Sequence, residues 1–254
     1  MDSFGKYYSQ YYDLVYQDKN YLDEVTYVCS KLGNCVSVFE MGSGTGRHAV
    51  ELARLNMEVH GIDLSSTMTE QAKRSVSKES SQIGEKIVLK EGDARFHDFE
   101  REFDGGLSLF HVASYQTHND DLERFLANAH KHLRQGGRFV FDFWYGPAVL
   151  HLKATPRVKR FENDEVKIIR VAEPYSHSSD NTITVKYDMI VHDLKEDRVV
   201  ELSESHKMRY FFIPELKYYL NKLGFEVLEF CEWMKETQPS EQSWSVCAVA
   251  QKKQ

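Results

Sequence analysis

Short apolar runs rich in Val, Ile and Phe alternate with stretches of helical period from residue 36 to residue 145. The runs at 36–40, 57–63, 86–90, 103–110 and 138–144 read as strands, and 47–55, 66–78 and 119–133 as the helices between them. Ser65 or Ser66 suits the N-cap of the second helix, and Gly136 with Gly137 suits the C-terminal stop of the third. Strands this apolar bury both faces, so the pattern predicts a parallel sheet with helices on either side.

The period changes after residue 148. Runs such as 166–171 and 182–187 alternate polar and apolar residues and are broken at 176–181 by Ser-His-Ser-Ser-Asp-Asn. This predicts antiparallel strands with one solvated face, reaching to about residue 210. Pro214 then opens a helix at 215–223, Gly224 ends it, and 225–230 with 244–250 close the chain as a strand pair. Ahead of the first strand, residues 7–32 read as one or two helices carrying Tyr7, Tyr8, Tyr11, Tyr12, Tyr16 and Tyr21, with the 8-12-16 spacing placing three rings on one face. Such a face either packs on the core or lines a pocket with hydroxyls.

Charge narrows the partners. The 32 basic and 39 acidic residues give a net charge of -7, with no block of Lys or Arg, which argues against nucleic acid and against an anionic membrane surface. A small or neutral substrate fits better. Cys29, Cys35, Cys231 and Cys247 fall in no C-x-x-C pair and read as reduced packing residues of a cytosol-type compartment, with no metal set among them. The first ten residues carry no secretory pattern, and no apolar run reaches the ~20 residues of a membrane helix, so the expected location is cytoplasmic.

The strongest chemical signal is Val38-Phe39-Glu40-Met41-Gly42-Ser43-Gly44-Thr45-Gly46, where a buried strand ends on an acid and a glycine turn opens a helix. That arrangement lets backbone approach a nucleotide-like ligand. A dinucleotide fold would place its third glycine where Arg47 stands, which weakens a nicotinamide reading. Asp63 closes the next strand, where it can accept hydrogen bonds from two ribose hydroxyls, and Asp93 closes the third, where it can accept from the exocyclic amine of a purine. Three acids at successive strand ends without a lysine suit a cationic nucleoside without phosphate.

With V-F-E-M-G-S-G-T-G, then G-I-D-L-S and E-G-D-A, residues 36–145 resemble the class I S-adenosylmethionine-dependent methyltransferases. The resemblance implies a Rossmann-like doubly wound α/β sheet of seven strands, the last antiparallel, with an antiparallel β insertion after strand five. It implies a methyltransferase domain at 1–147 and 211–254, a helical cap at 1–32, and an insertion at 148–210 covering the substrate site. It implies S-adenosyl-L-methionine as methyl donor: Gly42, Gly44 and Gly46 passing its methionine part, Glu40 orienting that end, Asp63 on the ribose, Leu64 and Met68 sandwiching adenine, and Asp93 with Ala94 reading its edge. Tyr12, Tyr21 and Phe110 complete the expected cofactor walls. Tyr12-Asp13-Leu14-Val15-Tyr16 with Lys19, Asn20, Tyr21 and Glu24 further resembles the enzymes that dimethylate nucleotide-linked deoxyamino sugars, in which a tyrosine at the position of Tyr16 lies near cofactor and substrate. That group's G-P-S-G-R-G is replaced here by Gln238-Pro239-Ser240-Glu241-Gln242-Ser243, with an acid gained and an arginine lost, which opens the choice to small amines and other sugars.

Methyl transfer from a sulfonium is an in-line displacement that needs alignment and exclusion of water more than acid-base machinery. A neutral amine attacks readily, whereas a hydroxyl leans on a base. The catalytic candidates by position are His111, Asp142, Tyr16 and Tyr145, with Tyr115 beside them, all expected at the carboxyl edge of the sheet. The leading expectation is a small-molecule methyltransferase directed to the nitrogen of an amino sugar or similar amine, working as monomer or homodimer without a metal. A sugar or polysaccharide O-methyltransferase is the alternative enzyme, and a non-catalytic cofactor-binding module is the alternative of another class.

Overall fold

The structure, a computed structural model, describes residues 6–253, with side chains from Tyr11 onward. The expected place of Tyr7 and Tyr8 in the tyrosine face lies outside the described side chains. Helices α1 (Lys6–Val15) and α2 (Tyr21–Leu32) precede β1 (Ser37–Met41), α3 (Arg47–Arg54), β2 (Glu58–Asp63), α4 (Ser66–Val76), the short α5 (Ser81–Gly84) and β3 (Ile87–Glu91). Then come β4 (Phe103–Ser108), a 3-10 turn (Val112–Tyr115), α6 (Asn119–Lys131), β5 (Leu133–Tyr145) and α7 (Gly146–Leu152). Strands β6 (Arg157–Glu162), β7 (Val166–His177), β8 (Thr182–Asp193) and β9 (Arg198–Phe211) form the antiparallel part, and α8 (Ile213–Lys222), β10 (Phe225–Glu232) and β11 (Ser245–Lys252) complete the chain.

Strands β3, β2, β1, β4 and β5 lie side by side in that order, all parallel. Strand β11 adds antiparallel to β5 and carries β10 on its outer side, so the seven-stranded doubly wound sheet expected from the sequence is present. The end of β5 also pairs with β9 through Trp144↔Tyr210 and Tyr145↔Phe211, which joins β9, β8, β7 and β6 to the same sheet. The pleat of β1 assigns its side chains to two layers. Val38 faces Val25 and Val28 of α2 and Leu52 of α3, while Phe39 faces Phe103, Phe125, Phe139 and Phe141 under α6 and α8. Each fully buried Phe contributes about 1.5–3 kcal/mol from water exclusion.

Two boundaries differ from the sequence expectation. The glycines expected to end a helix at 136–137 lie inside β5, because α6 stops at Lys131 and Leu133 already pairs with Phe103. The pairing then shifts between Phe103 and Gly105, and Gly136 takes φ 76 in the irregular stretch. Strand β4 ends at Ser108 instead of 110, since Phe110 and His111 both turn left-handed, at φ 65 and 64. Consecutive non-glycine residues in that region cost about 1–3 kcal/mol each and occur where surrounding structure holds them.

The chain winds outward from β1 to β3 and returns to β4 on β1's other side, so the sheet order reverses between β1 and β4. Open α/β sheets bind ligands beyond the strand ends at such a point. Helix α1 lies against β6, β7 and β8 there: Val15 packs with Phe161, Ile168, Met189 and Val191. Arg170 of β7, almost buried, donates to the Tyr16 hydroxyl at 3.3 Å and ties the antiparallel strands to the N-terminal segment. Among the described residues no helix is long and apolar enough to cross a membrane.

Candidate active site

The turn after β1 shows why glycines stand there. Gly42 takes φ 79, and a Cβ on it would lie 2.5 Å from Val112 Cγ2. Gly42 and Ser43 both donate backbone N–H to the Ile62 carbonyl at 2.8 Å, which ties the turn to β2. Gly44 takes φ 53, and among the described residues nothing lies within 4 Å of where its Cβ would be. Backbone is therefore open to a ligand at Gly44 and closed at Gly42. Gly46 caps the N-terminus of α3.

Asp63 joins two loops at this point. Its Oδ2 accepts from the Gly44 N–H at 2.8 Å and its Oδ1 from the Ser65 N–H at 2.9 Å. A carboxylate has about four lone-pair sites, so acceptor capacity remains toward the cavity it lines. Glu40 is fully buried, and neither carboxylate oxygen accepts a hydrogen bond in the described structure. His48 Nδ1 stands 3.4 Å from Glu40 Oε1, while His48 Nε2 lies 2.8 Å from Glu24, which pairs with Lys19 at 3.0 Å. A buried acceptor without a donor is costly alone. Glu40 beside the open glycine turn fits a ligand end that brings N–H donors, as an amino-acid ammonium does.

Two cavities meet along shared walls of Gly42, Asp63, Val112 and Tyr115. The larger, about 340 Å³, is lined by Leu64, Ser65, Asp93, Ala94 and Gln116. The smaller, about 130 Å³, is lined by Tyr12, Tyr16, Met68, Phe110, His111, Tyr115, Trp144, Tyr187, His206 and Met208. Leu64 and Met68, expected to face each other across one ring, line different cavities. Asp93 is already gripped by Arg95: Nε reaches Oδ1 at 2.9 Å and Nη2 reaches Oδ2 at 2.6 Å, and Arg95 continues to Asp121 at 2.7 Å. That hydrogen bonding outweighs burial and holds the Asp93 carboxyl below its usual range.

Tyr12, Tyr16 and Phe110 are brought together: Tyr12 and Tyr16 have centroids 4.7 Å apart, and Tyr16 meets Phe110 edge-on at 5.0 Å. Lys19 Nζ lies 3.7 Å from the Phe110 ring centroid. Tyr21 packs on His48 at 5.0 Å beside the glycine turn. Asp142 of β5 accepts the His111 backbone N–H on Oδ1 at 3.0 Å, and His111 Nδ1 is 2.7 Å from its Oδ2. Burial would raise the Asp142 carboxyl, but the facing His111 and, further off, Lys19 hold it below the carboxylate norm.

Tyr145 is not among the residues lining either cavity. Side chains alternate along β5, so Asp142 and Trp144 face the site while Tyr145 shares the opposite face with Phe141 and Phe143. Tyr187, His206 and Met208 were not singled out from the sequence. They come from β8 and β9, whose pairing register fixes which alternate residues face inward, and a repeating polar-apolar pattern signals a face without naming what it covers. Among the described residues no group of three or more His, Cys, Asp and Glu is arranged to hold a metal.

Residues 38–137 match the family model of the methyltransferase domain. A candidate methyltransferase of Bacillus subtilis, YqeM, is 26% identical over 217 residues, covering 85% of this chain and 83% of the relative. The dTDP-4-amino-2,3,4,6-tetradeoxy-D-glucose N,N-dimethyltransferase of Saccharopolyspora spinosa is 32% identical over 123 residues, covering 48% of this chain and 46% of that one. A crystal structure of an S-adenosylmethionine-dependent methyltransferase from Clostridium acetobutylicum superposes with a TM-score of 0.81 at 19% identity, covering 98% of both chains, which shows a shared fold. The glycine turn, the acids at the ends of β1 and β2, the strand order and the matched domain converge on an S-adenosylmethionine-dependent methyltransferase, and together they fit the class I group.

Proposed function

We propose that this enzyme methylates the amino group of a small molecule, an amino sugar or similar amine, held in the aromatic cavity beside Gly42 and Asp63. The observation that carries this reading is the cavity wall itself. Tyr12, Tyr16, Phe110, Tyr115, Trp144 and Tyr187 supply ring faces and hydroxyls, and among the described residues no Lys or Arg lines it. Aromatic faces attract an organic cation and leave a phosphate without partners. The dimethyltransferase relative acts, by its name, on an amino sugar, which supports the same substrate chemistry.

In this reading Glu40 and the backbone at Gly44 hold the amino-acid end of the donor, Asp63 takes the ribose, and Leu64, Ala94 and Asp93 border adenine. Met68, Tyr12, Tyr21 and Phe110 close the donor site toward the acceptor. Bound S-adenosylmethionine supplies a methyl group activated by its sulfonium. The chain's own residues align the nitrogen with that methyl and exclude water. His111, oriented by Asp142, takes the proton that the nitrogen sheds once it has been methylated. Residues 1–147 and 211–254 form the methyltransferase domain, 1–32 is its cap, and 148–210 is an insertion whose strands β8 and β9 wall the acceptor.

A second reading, transfer to a sugar hydroxyl, draws on the same His111–Asp142 pair, because a hydroxyl needs a positioned base more than an amine does. The test is release of S-adenosylhomocysteine with panels of amino sugars, plain sugars and small amines. Turnover confined to amines supports the first reading, and turnover confined to plain sugars replaces it with the second.

A further inference from the structure

Besides His111, the acceptor cavity carries a second histidine in a different setting. His206 sits on β9, 2% exposed, with its ring 5.4 Å from Tyr187 and 6.0 Å from Tyr115. Its Nδ1 is 2.9 Å from the Tyr115 hydroxyl, and its Nε2 is 3.4 Å from Glu204 Oε2. The 3.4 Å approach is an electrostatic contact without hydrogen-bond geometry, and the negative charge of Glu204 favours the tautomer with the proton on Nε2. Nδ1 is then the acceptor of the Tyr115 O–H. Tyr115 in turn belongs to the wall that donor and acceptor cavities share.

Resting on the amine reading above, we propose that Tyr115, His206 and Glu204 form a proton relay through which an ammonium acceptor becomes a nucleophile. The substrate N–H bond breaks and its proton binds the Tyr115 oxygen, while the Tyr115 O–H bond breaks and that proton binds His206 Nδ1. The nitrogen keeps the electron pair that then attacks the methyl carbon. Positive charge moves from the ammonium to an imidazolium facing Glu204, so the net charge of the pocket is unchanged.

The geometry gives each member one task. Tyr115 touches the amine. His206 acts through it and is a positioning residue that holds the proton, and Glu204 offsets the charge the ring takes up. Burial pushes the Tyr115 hydroxyl well above the ordinary phenol range, with Tyr16, Tyr187, Asp63 and Glu204 adding to the shift, so Tyr115 passes a proton on and does not rest ionised. His111, whose Nδ1 faces Asp142, has no part in this chain of contacts. Because His206 and Glu204 lie on β9 and Tyr115 on the turn after β4, the relay is complete only when the antiparallel strands are docked.

The experiment compares wild type, Tyr115→Phe, His206→Asn and the double variant on the amine that wild type turns over best. An Asn side chain offers an acceptor near the position of Nδ1 but cannot hold a proton, and His206→Gln serves in its place if H206N does not fold. The relay predicts that each single variant lowers kcat about 10²-fold while KM and donor affinity stay within about threefold, and that the double variant falls no further. Loss of KM and donor affinity together, an H206N enzyme within about threefold of wild type, or single effects that multiply in the double variant would each overturn it. Failure of wild type to methylate any amine overturns the amine reading and the relay with it, whereas amine turnover that H206N leaves intact overturns the relay alone.

Discussion

Asp142 holds His111 at two points, accepting its backbone N–H at 3.0 Å and facing its Nδ1 at 2.7 Å, with Ser245 Oγ donating to the same carboxylate at 3.2 Å. The acid thereby fixes both the left-handed turn that ends β4 and the orientation of the imidazole, leaving Nε2 as the nitrogen turned away from it. Asp142→Asn keeps the shape and one acceptor but loses the negative charge beside the imidazole. We expect kcat to fall by about 10- to 100-fold with donor affinity within about threefold, measured by steady-state kinetics and calorimetry. A rate within a few-fold of wild type would rule out base assistance by this pair.

Gly42→Ala attacks the glycine turn after β1. A Cβ there meets Val112 at 2.5 Å on a backbone at φ 79. The strain should cost about 1–3 kcal/mol, visible as a Tm lowered by roughly 2–10 °C. Because Val112 lines both cavities, donor affinity measured by calorimetry should drop more than the lost stability alone explains.

Asp63→Asn probes the link between the glycine turn and α4. One oxygen now accepts from Gly44 and the other from Ser65, and an amide nitrogen cannot replace either. A charged hydrogen bond of about 1.5–3 kcal/mol corresponds to roughly 10- to 100-fold in the dissociation constant of S-adenosylmethionine. Unchanged donor binding in D63N would remove Asp63 from the donor site.

His48 should make the cap pH-sensitive. Burial lowers its affinity for a proton, but Glu24 and Glu40 outweigh burial and raise the imidazole above 6.5. Burial likewise pushes the Glu24 carboxyl up, yet His48 and Lys19 bring it below 4.5. A raised base stabilises fully below its unfolded value and loses that contribution as pH rises through its folded value; a depressed acid stabilises above its unfolded value and loses that as pH falls through its folded value. The Tm difference between wild type and His48→Gln should therefore be largest between pH 4.5 and 6.5 and shrink as pH rises further. A difference that grows with pH would contradict the pairing.

The parallel sheet was legible because strands buried on both faces write themselves as apolar runs, and the glycine turn after β1 because only glycine tolerates the backbone and the close approach at Gly42. Tyr145 was misplaced for a reason of period: proximity along the chain put it at the strand end, while the pleat turned it to the core beside Phe143. Arg95 was not read as the partner of Asp93 because a bidentate pair two residues apart needs a turn whose shape the sequence does not spell. His206 and Tyr187 were beyond reach for a longer-range reason. Which residues of β8 and β9 face the cavity depends on pairings such as Tyr187↔Glu204 and on the docking of β9 at Trp144, and neither leaves a local mark.

The central claim is methyl transfer to the nitrogen of a small acceptor bound against the aromatic cavity. It is tested most directly by incubating the enzyme with methyl-labelled S-adenosylmethionine and the amine panel, then locating the label in the product by NMR. We expect the label on nitrogen, with transfer lost when the antiparallel wall is opened by Tyr187→Ala. Label on oxygen, or no transfer to any amine while S-adenosylmethionine still binds, would contradict the claim.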